Sequence, residues 1–115
     1  MGRRRRAERL RAPTSDYADG EGNVLVLRGV LSPATRREYH DVLHGNQLSQ
    51  EDAWHRAVEF LFERLAVSWT VAGVPTTRQK ELVMRLRMAS GDERTWIRSV
   101  LREHVKEHFP DVEAP

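Results

Sequence analysis

Two pairs of histidines stand at a spacing that metal sites use. His40-Asp41-Val42-Leu43-His44 and His104-Val105-Lys106-Glu107-His108 each place two imidazoles four residues apart. On a helix that spacing turns both rings to one side, where they can share a zinc ion. The second run matches the inverted zinc-protease pattern, His-x-x-Glu-His; the first carries Asp where the metalloprotease pattern has Glu. A catalytic zinc also needs a third protein ligand and a cleft. Only seven residues follow His108, which leaves no downstream helix to supply that ligand. Both pairs are therefore read as solvated or boundary histidines, with a joint four-histidine structural site as the alternative, and no metal or cofactor is expected.

Other chemistry is sparse. With no cysteine there is no disulfide, thiolate metal site or cysteine nucleophile. No serine or threonine sits in a nucleophile elbow, and no glycine-rich loop resembles a phosphate cradle. Acidic pairs such as Glu59 and Glu63 lie off the apolar stripe of their helix, near Arg56, as ordinary surface pairs do. The chain reads as a non-enzyme.

Charge points to a second possibility. Residues 1–11 hold six arginines and one glutamate, a local charge of +5, while residues 24–115 hold thirteen basic and thirteen acidic side chains. Arg3, Arg4, Arg5 and Arg6 could bind nucleic acid non-specifically through phosphates, or serve only as a solubilising tail. No apolar stretch follows this start, and no run is long enough to span a membrane. A cytoplasmic location is expected.

The elements that would position these groups follow from periodicity. Residues 1–23 offer little apolar bulk beyond Leu10 and Tyr17 and read as a disordered Arg-rich tail. Val24–Leu27 is a buried strand. Ser32-Pro33 starts a helix over 33–44 that Gly45-Asn46 stops. Ser49, with Glu51 and Asp52 in the first turn, starts a second, in which Trp54, Ala57, Val58, Leu61, Phe62 and Leu65 recur at three and four residues. Residues 67–71 alternate apolar and polar and predict a second strand, paired with 24–28. Thr76 and Gln79 form a capping-box pattern ahead of a helix over about 77–88; Ser90 and Glu93 form another ahead of one over 91–108. Residues 111–115 read as a tail. The expectation is an α+β, mostly α domain over 24–110: four helices and a minor two-stranded sheet in the order β-α-α-β-α-α.

Contact surfaces follow from faces. The apolar stripe of the last helix is too wide for one buried side, so Trp96, Val100 and Phe109 are expected at an exposed or partner-facing edge. Met84 and Met88 lie one turn apart, opposite the Leu82–Leu86 face, and suit adaptable contact with a partner helix. The last two helices also invite a helix-turn-helix reading, with Arg94, Arg98 and Arg102 on the reading helix. Glu93, Glu103 and Glu107 share that helix, however, and the body is neutral.

Residues 24–112 resemble the small tail assembly chaperones of actinobacterial phages and prophages. The residues concerned are Leu27-Arg28-Gly29-Val30-Leu31-Ser32-Pro33, Glu51-Asp52-Ala53-Trp54-His55-Arg56-Ala57, Leu65-Ala66-Val67-Ser68-Trp69 with Gly73, Gln79-Lys80-Glu81-Leu82, and Asp92-Glu93-Arg94-Thr95-Trp96-Ile97-Arg98. The resemblance implies a non-enzymatic viral protein. It would bind the long helical tape-measure protein and keep it soluble until the tail tube assembles, often in two lengths made by a translational frameshift. The rival expectation is a small nucleic-acid-associated regulator using the Arg tail and the last helix.

Overall fold

A computed structural model describes residues 13–45 and 49–115. The order is β1 (Thr14–Ala18), β2 (Val24–Arg28), α1 (Pro33–His44), α2 (Gln50–Leu65), β3 (Ala66–Val71), β4 (Val74–Thr76), α3 (Gln79–Arg87) and α4 (Gly91–His108). The four strands form one antiparallel sheet in the order β1-β2-β3-β4. The fold is α+β.

The expected pairing of β2 with β3 is present, with Leu25 opposite Trp69 and an irregularity between Val26 and Leu27. Two strands of the sheet were not expected. Thr14–Ala18 lies within the stretch read as disordered, yet it pairs along its whole length with β2, Tyr17 opposite Leu25. The Gly29 N–H donates to the Pro13 carbonyl oxygen at 2.7 Å, closing the end of that ladder. The ordered domain therefore includes residues before 24. β4 is three residues with Pro75 in the middle, at the sheet edge where a missing donor is tolerated.

Turn chemistry explains both hairpins. The Asp19 carboxylate accepts from the Glu21 and Asn23 main-chain N–H groups and from Asn23 Nδ2, bracing the β1–β2 turn. These bonds hold its carboxyl below the usual range, the Asn23 side chain contributing most. The β3–β4 turn has two central residues, Ala72 and Gly73, at φ of 50° and 78°. Positive φ at both is the type I′ pattern, which suits Asn-Gly and strains alanine. Replacing Ala72 with Asn should raise stability by about 0.5–1 kcal/mol, measured by denaturant unfolding. An unchanged or lower midpoint would refute the turn assignment.

Three helix starts match their caps. Ser32, Ser49 and Ser90 accept from the main-chain N–H of Thr35, Asp52 and Glu93, and Glu93 returns the bond to Ser90 as a full capping box. The Thr76–Gln79 box does not form. Thr76 ends β4, α3 starts after Arg78 without a side-chain cap, and Gln79 donates instead to the Glu63 carbonyl oxygen. α1 stops at Gly45, where an added Cβ would lie 2.7 Å from the Asp41 carbonyl oxygen.

The core lies between one sheet face and the helices. Tyr17, Leu25 and Trp69 form a row on that face; the opposite row, Asp16, Val26 and Ser68, is exposed or half-buried. Ala57, Leu61, Phe62 and Leu65 of α2, Leu82 and Leu86 of α3, and Ile97, Leu101 and Val105 of α4 complete it. Phe62 meets Trp69 edge-on at 5.9 Å between ring centroids. No described helix is long and apolar enough to cross a membrane.

Residues 111–115 do not trail away. Val112 and Ala114 pack against the core, and the Tyr39 hydroxyl donates to the Glu113 carbonyl oxygen at 2.7 Å. Arg98 and Arg102 both donate to the Pro115 main-chain oxygen. The segment is an integral strap across α1 and α4.

Candidate functional site

α3 buries Leu82 and Leu86 and turns its other side to solvent. Met84 and Met88 are 55% and 77% exposed on that outer side. With Thr76, Lys80, Glu81 and Arg85 they line a shallow groove of about 450 Å³. Arg85 does not swing freely there. Its guanidinium stacks over Trp69 at 4.7 Å from the ring centroid and pairs with Glu93, itself a capping residue of α4. The outer face of α3 is thus two flexible thioethers on a fixed support, edged by charges of both signs.

The wide stripe of α4 has a different explanation from the one expected. Val100 is 5% exposed and Phe109 1%, and Trp96 is half-buried. The extra width is covered by the chain itself. β1 and β2 take one side of the helix and the strap takes another, as the bonds from His104 and from Arg98 and Arg102 show. Neither β1 nor the strap was visible as structure in the sequence, so the helix looked under-covered. Val100 and Phe109 are core residues; of the five residues expected at a contact face, Met84 and Met88 are the exposed ones.

His104 is neither solvated nor at a boundary: it is fully buried. Its Nε2 donates to the Arg28 carbonyl oxygen at 2.7 Å. That bond leaves Nδ1 of the neutral ring to accept from the Tyr17 hydroxyl, also at 2.7 Å. His108 reaches Ser15 Oγ at 3.2 Å. The His-x-x-Glu-His run therefore stitches α4 to β1 and β2, and both nitrogens of His104 are already committed. Burial pushes the His104 pKa down from the ordinary 6.5, with the nearby His108 acting in the same direction against the Arg28 carbonyl and Glu107. A depressed imidazole means that the unfolded chain binds the extra proton first. Stability should hold above about pH 6.5 and fall as the pH drops from there toward the lower folded value. Urea midpoints at successive pH values measure this. The slope should vanish on replacing His104, and an unchanged slope would remove the assignment.

The other pair behaves differently. His40 and His44 are exposed on α1, 4.8 Å apart between ring centroids. His44 Nε2 lies 2.7 Å from Glu113 Oε1 of the strap. A carboxylate, Glu113, stands beside this pair because the last residues fold back.

The arginines of α4 are occupied. Arg94 donates to the Ala89 and Arg87 carbonyls, Arg98 pairs with Glu51 and the strap, and Arg102 holds the strap. A reading helix would need these side chains free to reach base edges. Arg3–Arg6 lie outside the described residues. A cleft of about 490 Å³ is lined by Arg56, Arg87, Arg94 and Arg98 with Glu51 and Glu59. Arg87 and Arg98 are paired within it to Glu59 and Glu51.

No family model, curated protein or solved structure matches this chain.

Proposed function

We propose that this chain is a non-enzymatic protein-binding module that docks a client helix on the outer face of α3. The carrying observation is the solvent-exposed Met84–Met88 pair over a groove of about 450 Å³. Adjoining exposed apolar side chains form a patch of the kind that interaction sites use. Methionine suits a client surface that is apolar but not of one fixed shape, because its unbranched chain repacks at little cost. Lys80 and Glu81 along the groove would pair with the polar flanks of an amphipathic helix whose apolar face lies in the groove. The resemblance to small tail assembly chaperones of actinobacterial phages supplies a client of that kind: the long helical tape-measure protein, held soluble in the cytoplasm until the tail forms.

Sequencing the neighbouring genes, and coexpressing the chain with any long helical protein that they encode, tests this reading. The client should move from the pellet to the soluble fraction and copurify with the chain. A client that stays insoluble, or a neighbourhood of regulatory genes with no such protein, would overturn it.

A further inference from the structure

His40, His44 and Glu113 present one nitrogen or carboxylate oxygen each, all within 4.8 Å of one another. They are the described group of three or more His, Asp or Glu side chains in which the ligand atoms converge this closely. A tetrahedral zinc with bonds of about 2.0–2.1 Å holds its ligand atoms about 3.3 Å apart. The 2.7 Å contact between His44 and Glu113 need open only slightly, and the remaining separations need only close by side-chain rotation.

The positions of the three are fixed independently of one another. His40 and His44 share a face of α1 through their i,i+4 spacing. Glu113 is held from both sides. The Tyr39 hydroxyl grips its own carbonyl oxygen, Val112 donates back to the Phe109 carbonyl oxygen at 2.9 Å, and Arg36 pairs with Asp111 at 3.4 Å. Arg98 and Arg102 hold Pro115 beyond it. Two imidazoles and a carboxylate are a donor set suited to zinc and similar divalent ions.

We propose that His40, His44 and Glu113 form a three-ligand site for a divalent transition metal of the zinc class, clamping the 111–115 strap onto α1. Water completes the coordination. The cavity beside it, lined by Arg36, Tyr39, His40, Leu43 and residues 111–113, is about 130 Å³. That is well below the roughly 300 Å³ of a small-molecule pocket, so the role proposed for the ion is to hold the strap. This inference does not depend on the client-binding reading.

Calorimetric titration of the full chain, purified without a histidine tag, with zinc chloride is the test. One zinc per chain should bind. His44→Ala and Glu113→Gln should each weaken binding by at least about tenfold. His55→Ala should leave it unchanged, although His55 also has a carboxylate partner, Glu51 at 3.2 Å. All three side chains are exposed, so these variants keep the fold. Zinc should also slow amide exchange at 112–114 in the wild type and not in Glu113→Gln. Binding of equal strength in wild type, His44→Ala and Glu113→Gln would overturn the proposal, as would no binding or zinc-independent exchange in the strap.

Discussion

Replacing His104 with alanine is expected to destabilise the chain by about 3–5 kcal/mol. Three costs add. The Arg28 carbonyl oxygen and the Tyr17 hydroxyl each lose a 2.7 Å partner. An unsatisfied buried polar group costs about 1–3 kcal/mol. The third cost is a cavity the size of an imidazole in a region where Phe109 and Tyr17 both meet the ring edge-on, at 5.7 and 5.5 Å between centroids. A domain of this size has only about 5–15 kcal/mol in total. Thermal unfolding should drop by about 12 °C or more, and β1 should exchange its amides fastest because Tyr17 is its main anchor. His108→Ala removes one longer bond, 3.2 Å, from a half-buried ring and should cost about 1 kcal/mol or less. Equal effects of the two substitutions would show that His104 is not the keystone described here.

Replacing Met84 and Met88 together with glutamine should weaken client binding on the order of 10- to 100-fold while leaving thermal stability within about 0.5 kcal/mol. Glutamine matches methionine in length and helix propensity, so α3 keeps its shape. What it removes is apolar contact at two adjoining positions. A loss of about 0.7–1.4 kcal/mol at each of the two positions adds to about 1.4–2.8 kcal/mol, which is that range. The stability expectation rests on exposure, since both side chains project away from Leu82 and Leu86. A matched substitution at Val30, 53% exposed and not among the residues lining the α3 groove, should leave binding unchanged. Loss of binding with a large fall in stability would mean that the methionines serve the fold, and unchanged binding would place the client elsewhere.

The elements with strong periodicity or capping chemistry were legible in the sequence. Ser32-Pro33, Ser49 and Ser90 set helix starts that the structure retains, and the β2–β3 pairing followed from two short apolar runs that needed partners. β1 was hidden because Thr-Ser-Asp-Tyr-Ala is polar and sits at the sheet edge, burying only its Ser15 and Tyr17 side. Its partners are His104 and His108, so its signal was split between residues about ninety positions apart. The strap was hidden for the same reason: Val112 and Ala114 are too few to show periodicity, and their docking depends on Tyr39, Arg98 and Arg102. These two omissions account for the corrections on α4 and for the missing neighbour of His40 and His44. Without β1 and the strap, α4 looked over-wide and Val100 and Phe109 looked available. Without the strap, His40 and His44 lacked Glu113. Met84 and Met88 were legible because helical spacing alone put them opposite the buried face.

Docking of a client on the outer face of α3 should shield that helix from solvent. Hydrogen–deuterium exchange on the copurified complex tests it most directly. Protection gained on binding should concentrate in residues 79–88 and fade in α1 and the 111–115 strap. Protection centred on α1, α4 or the strap, with 79–88 unchanged, would contradict it.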